Sequence, residues 1–107
     1  MRISLFVFIA LLGLAGAAEA ATEYHVTIKD HKFEPATLEI PAGVKIKLLI
    51  ENKDAGAEEF ESHDLNREKI IPANSTGSVF IGPLQPGKYN FFGEFNPATA
   101  QGTIVVK

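Results

Sequence analysis

A Greek-key β-sandwich of seven to eight strands, all-β, is the fold class predicted by three observations. No stretch after residue 20 sustains a 3.6-residue apolar period, which argues against long amphipathic helices. Short runs rich in β-branched and aromatic residues alternate with polar ones. Pro, Gly, Asn and Asp punctuate those runs at fairly regular spacing. The chain has 107 residues, enough for one ordinary domain. It contains no Cys and no Trp. Without Cys there are no disulfides, zinc fingers, iron–sulfur clusters, thiol nucleophiles or thiolate–copper centres. Ten Lys and Arg against thirteen Asp and Glu give a net charge of −3, which carries no electrostatic footprint for nucleic acid.

The elements follow in chain order. Met1-Arg2, the apolar run Ile3–Leu14 and the small-residue ending Ala18-Glu19-Ala20 read as an export signal. A membrane-spanning helix needs about 20 apolar residues, more than this run offers. An uncleaved anchor is the alternative reading of the same segment. Cleavage is expected between Ala20 and Ala21, leaving residues 21–107 as one soluble domain in the periplasm. Tyr24–Lys29 alternates and opens the sheet, and Asp30–Pro35 reads as a turn. Ala36–Ile40 is a short strand closed by the turn Pro41-Ala42-Gly43. Val44–Glu51 places Val44, Ile46, Leu48 and Ile50 on one face. Asn52–Ala57 is turn-like, Glu58–Ser62 is a strand, and His63–Lys69 is a mixed connection with room for a helical turn. Ser78–Ile81, Lys88–Phe92 and Thr103–Lys107 complete the set. Phe33, Phe60, Phe80, Tyr89 and Phe91 are expected in the core.

The run F-E-P-A-T-L-E-I-P-A-G-V-K-I-K-L-L-I-E-N from Phe33 to Asn52 resembles the opening of a cupredoxin. The closing run P-L-Q-P-G-K-Y-N-F-F-G-E-F-N-P-A-T-A-Q-G-T-I-V-V is similar to the family's last hairpin. E-E-F-E-S, followed by E-K-I-I-P, resembles the EfeO-type cupredoxin-like domains of bacterial iron uptake, including FtrB-like stand-alone periplasmic members. The resemblance spans residues 24–107. It implies a sandwich of the cupredoxin type acting beside an iron permease of the EfeU type and an associated periplasmic iron-binding protein. The membrane would be reached only through the permease.

A blue-copper site takes two His, one Cys and a weak axial Met. Laying the family's closing-loop spacing on this sequence puts Gly93 at the Cys, Asn96 at the His and Ala100 at the Met. Glu58 stands where the remaining His precedes its strand. All four ligands are missing from these positions, so a type-1 copper site is excluded by its chemistry.

Carboxylates remain. Glu58, Glu59 and Glu61 fall within four residues, with His63, Asp64 and Glu68 close behind. With Phe60 inward, a period of two puts Glu58 and Ser62 on its side and sends Glu59 and Glu61 to the other face. Glu94 lies in the former ligand loop at the same end of the sandwich. The expected metal ligands are Glu58, Glu59 and Glu94, with His63 as an optional fourth, and the cation is iron or copper. Carboxylate oxygens suit Fe(III), Mn(II) or Ca(II), and Cu(II) accepts them when an imidazole joins. A solvated acidic face is the plain alternative for the same residues. Phe92 and Phe95 flank Gly93-Glu94 and read as an apolar rim or a partner-docking patch. His25 reads as a surface or strand-packing residue and His31 as a solvated turn residue. No hydrolase or phosphate-loop motif is present.

The function expected is therefore capture and presentation of metal in iron uptake. A ferroxidase using a Glu/His copper or iron site and a metal-free docking module are the alternatives. If the inward carboxylate is a ligand, Glu58→Ala weakens metal binding more than Glu61→Ala.

Overall fold

The structure is a computed structural model and describes residues 21–107. The export signal and its cleavage point lie outside the described residues. Among these there are nine strands: β1 (Thr22–Lys29), β2 (Lys32–Glu34), β3 (Thr37–Ile40), β4 (Ile46–Asn52), β5 (Glu58–Ser62), β6 (Arg67–Ile71), β7 (Ser75–Ile81), β8 (Gly87–Gly93) and β9 (Gln101–Val106). They form a four-stranded sheet in the order β2-β1-β4-β7 and a five-stranded sheet in the order β3-β9-β8-β5-β6. Each sheet is mixed: β1 runs parallel to β4 and β3 parallel to β9, while the other pairings are antiparallel.

The pleat of each strand sends alternate side chains into the space between the sheets. Val26 and Ile28 of β1 and Ile46, Leu48 and Ile50 of β4 are buried there. They meet Phe60, Phe91, Ile104 and Val106 from the five-stranded sheet. Phe33 of β2 joins the two layers, its ring 4.8 Å from Phe91 and 6.3 Å from Phe60, both edge-on. Such edge-on pairs are worth about 0.5–1.5 kcal/mol beyond the area they bury.

Two expected connections turn out to be strands. The segment read as a turn over Asp30–Pro35 contains β2, because Asp30 and His31 both take positive φ (52° and 59°) and turn the chain back in two residues. That geometry is a type I′ hairpin turn, usually built from Asn-Gly, and Asp-His does not advertise it. The segment His63–Lys69, read as a connection with a possible helical turn, is a hairpin loop running into β6. Asn66 sits at φ 55° and its N–H bonds the His63 carbonyl at 3.2 Å, closing the loop.

Phe80 is not in the core. Val79 and Ile81 take the inner face of β7, so period two turns Phe80 outward, where it is 47% exposed. Lys45 and Lys47 hold their ammonium groups 5.3 and 6.0 Å from its ring. Val44 likewise faces outward, because β4 begins two residues later, at Ile46. Tyr89 is half-buried against the core.

Candidate functional site

The inner face of β5 reads Glu58, Phe60, Ser62, all buried, as strand period predicts. Glu58 is 2% exposed. Its Oε1 accepts the N–H of Glu59 at 2.9 Å and the N–H of Phe95 at 2.8 Å. Its Oε2 accepts the Asn96 side-chain amide at 2.9 Å. A carboxylate buried this deeply needs such donors, and here it has three. Gly93 lies against it: a Cβ there would sit 2.6 Å from Glu58 Cδ and Oε2 and 2.7 Å from the Ala100 Cβ. Glu58, Gly93, Asn96 and Ala100 thus converge on one point, with the Glu58 carboxylate filling it.

The loop around this point is closed by its own backbone. The Gly93 N–H bonds the Ala100 carbonyl at 2.9 Å, and the Asn96 carbonyl accepts the Ala100 N–H at 2.9 Å. On the β5 side, the Glu94 N–H bonds the Glu59 carbonyl at 2.9 Å. The Phe33, Phe60 and Phe91 cluster packs below, since Phe60 and Phe91 stand one pleat inward from Glu58 and Gly93.

The outer face of the same strand carries a second, different arrangement. Register pairs Glu61 with Glu68 of β6 and with Phe92 of β8, and Glu59 with Ile70. Carboxylate oxygens of Glu59, Glu61 and Glu68 lie within 4.8 Å of one another. Partial burial, and then the negative charges of Glu61, Glu68, Glu94 and Glu58, push the Glu59 carboxyl above the usual range. His63 stands at the margin, with Nδ1 3.9 Å from Glu61 Oε2 and its ring 5.4 Å from that of Phe92.

The expected ligand set therefore does not gather in one place. Glu58 and Glu59 lie on opposite faces of β5, because adjacent residues of a strand must. Glu94 is exposed in the loop after β8, and His63 is exposed beside Glu61. Phe92 is half-buried on the acidic face, whereas Phe95 is 50% exposed in the loop. Glu61 and Glu68 complete the outer cluster and stood outside the expected set. Glu68 comes from a segment whose strand character was masked by its charges. The signal for it was Asn66, a residue that tolerates left-handed backbone, four positions after Ser62.

Two facing mixed sheets, with a polar junction where β5 meets the β8–β9 loop, define a cupredoxin fold. The chain belongs to the cupredoxin-like domain family, which matches residues 2–106. It is 52% identical over 84 residues to an uncharacterized protein of Rickettsia prowazekii (strain Madrid E), covering 78% of this chain and 67% of that one. Auracyanin A, a "blue" copper protein from Chloroflexus aurantiacus, superposes with a TM-score of 0.71 at 15% identity, covering 82% of this chain and 100% of that one. A copper binding protein solved in its apo form gives a TM-score of 0.70 at 20% identity, covering 79% and 86%. The metal binding domain of the Cu(I)-exporting ATPase CopA of Streptococcus pneumoniae D39 gives 0.71 at 11% identity, covering 79% and 84%.

The residues at the junction do not fit copper. Gly93 and Ala100 offer no donor atom, the Asn96 amide nitrogen is turned toward Glu58, and the one carboxylate is already engaged. With no Cys in the chain, a type-1 centre has no thiolate.

Proposed function

We propose that this protein is a periplasmic metal-binding accessory of a bacterial iron-uptake system, holding a hard cation on the outer carboxylates Glu59, Glu61 and Glu68. The observation that carries the reading is their approach to within 4.8 Å with, among the described residues, no Lys or Arg side chain in a salt bridge to them. Three carboxylates so close repel one another, and a cation bound between them relieves that repulsion. His63, 3.9 Å from Glu61, extends the donor set toward metals that favour imidazole. The likeness of E-E-F-E-S and E-K-I-I-P to EfeO-type domains supports iron as the cargo. It also supports an EfeU-type permease and an associated periplasmic iron-binding protein as partners. A second reading, a docking module, is favoured by the half-exposed Phe95 ring in the β8–β9 loop.

Calorimetric titration with Mn(II), anaerobic Fe(II) and Cu(II) tests the proposal. A single cation per chain is expected, with affinity lower by about tenfold or more in Glu61→Gln/Glu68→Gln. Binding unchanged in that double variant, or no binding of any of the three ions, sinks the metal reading. Under the proposal the order expected from sequence reverses: Glu61, not Glu58, governs affinity.

A further inference from the structure

We propose that Glu58 takes the place of the metal in this fold: its buried carboxylate is the internal cross-link that fastens the β8–β9 loop to β5, and no cation enters there. In a cupredoxin centre, ligands from these same two chain segments are joined through the ion. Here two hydrogen bonds join them, from the Phe95 N–H at 2.8 Å and the Asn96 amide at 2.9 Å, while the Glu59 N–H, on β5 itself, steadies the carboxylate at 2.9 Å. Each partner of the carboxylate is a donor, and a donor N–H cannot ligate a cation. An ion arriving at this point would strip the carboxylate from three partly buried donors and cost their hydrogen bonds. Among the described residues no buried side-chain nitrogen or oxygen lacks a partner, so no group there is waiting for a ligand.

Space tells the same story. The carboxylate lies where a side chain at position 93 would begin, so Glu58 and a bulkier residue at 93 exclude each other. Gly93 and Glu58 are therefore one device. It positions the loop that carries Glu94, the exposed Phe95 and Asn96, whether or not a cation sits on the outer face. This inference does not depend on the outer carboxylates binding metal.

A thermal double-mutant cycle over positions 58 and 93 tests it, using wild type, Gly93→Ala, Glu58→Ala and the double variant. Gly93→Ala should lower Tm by about 5–15 °C in the wild type. In the Glu58→Ala background the same change should cost less than half as much. If Glu58→Ala does not fold, Glu58→Asp takes its place in the cycle, since it draws the carboxyl back by one methylene. Amide exchange at Phe95 should speed up by about tenfold or more in the Glu58 variant, because its acceptor is gone. Adding Zn(II) or Cu(II) to Glu61→Gln/Glu68→Gln protein should leave the Phe95 amide and Asn96 side-chain resonances unmoved. Strictly additive Tm losses would overturn the proposal. So would a metal-induced change at Phe95 and Asn96 that Glu58→Gln abolishes.

Discussion

Asp54 shows how much one side chain can organise. Its carboxylate accepts the N–H of Asp30 at 2.8 Å and of His31 at 3.0 Å, the two residues of the β1–β2 turn with positive φ. Left-handed backbone costs an ordinary residue about 1–2 kcal/mol, so this turn needs an outside tie. The tie is itself fixed: Asn52, fully buried, accepts the Asp54 N–H at 2.9 Å and donates to the Gly56 and Ile71 carbonyls. The His31 N–H, more than any other group, holds the Asp54 carboxyl below its usual range. Asp54→Ala should cost about 1–3 kcal/mol in urea unfolding at pH 7, with the loss centred on the β1–β2 hairpin. A lowered folded pKa means stability present above the ordinary carboxylate value and lost as pH falls through the folded one. The gap between wild type and Asp54→Ala should therefore close below about pH 4. A gap that persists into acid would mean the hydrogen bonds are not what Asp54 contributes.

At the scale of elements, the strands that pack on the core were legible and those that cover nothing were not. β1, β4, β5, β8 and β9 announce themselves because burial imposes period two on apolar side chains. β6 buries only its last residue, so it carries no apolar alternation to read. β2 is three residues long, and only Phe33 faces inward. The inward turn of Glu58 was legible from Phe60, but its hydrogen-bond partners were not, since they come from a loop 37 and 38 residues away. The outer cluster needed the β5–β6 register, which the unread hairpin sets. Close approaches of backbone to rings are equally invisible until the sheets assemble. Gly102 of β9 lies under Phe91, where a Cβ would fall 2.2 Å from Cζ. Gly77 of β7 faces the tip of Ile71, whose Cδ1 would lie 2.6 Å from a Cβ there, with Lys69 Cε at an ordinary 3.7 Å. Gly102→Ala should thus destabilise by about 3 kcal/mol and Gly77→Ala by about 1 kcal/mol. Chemical denaturation orders them, and a reversed order would mean that Phe91 yields more easily than Ile71.

For the whole molecule, net charge conceals a division. Lys45 and Lys47 gather round Phe80 beside β7, while Glu59, Glu61 and Glu68 crowd the outer face of β5 and β6. The second group makes stability depend on pH in the direction opposite to Asp54. Glu59 has a raised folded pKa, chiefly from partial burial and then from Glu61, Glu68, Glu94 and Glu58. The fold therefore holds its proton where the unfolded chain has lost it, and stability falls as pH rises from the ordinary 4.5 through the folded value. The Asp54 contribution is thus lost toward acid, whereas the Glu59 contribution is lost as pH rises. Glu59→Gln removes one charge from the cluster and should raise Tm at pH 7 in low salt. That gain should vanish near pH 4, where the carboxyl is already protonated, and shrink in about 1 M salt, where the Debye length is about 3 Å. Equal gains at both pH values and both salt levels would assign the effect to packing against Ile70 and not to charge. A gain confined to neutral pH and low salt would instead place the strain among the carboxylates, where a bound cation would relieve it in the wild type.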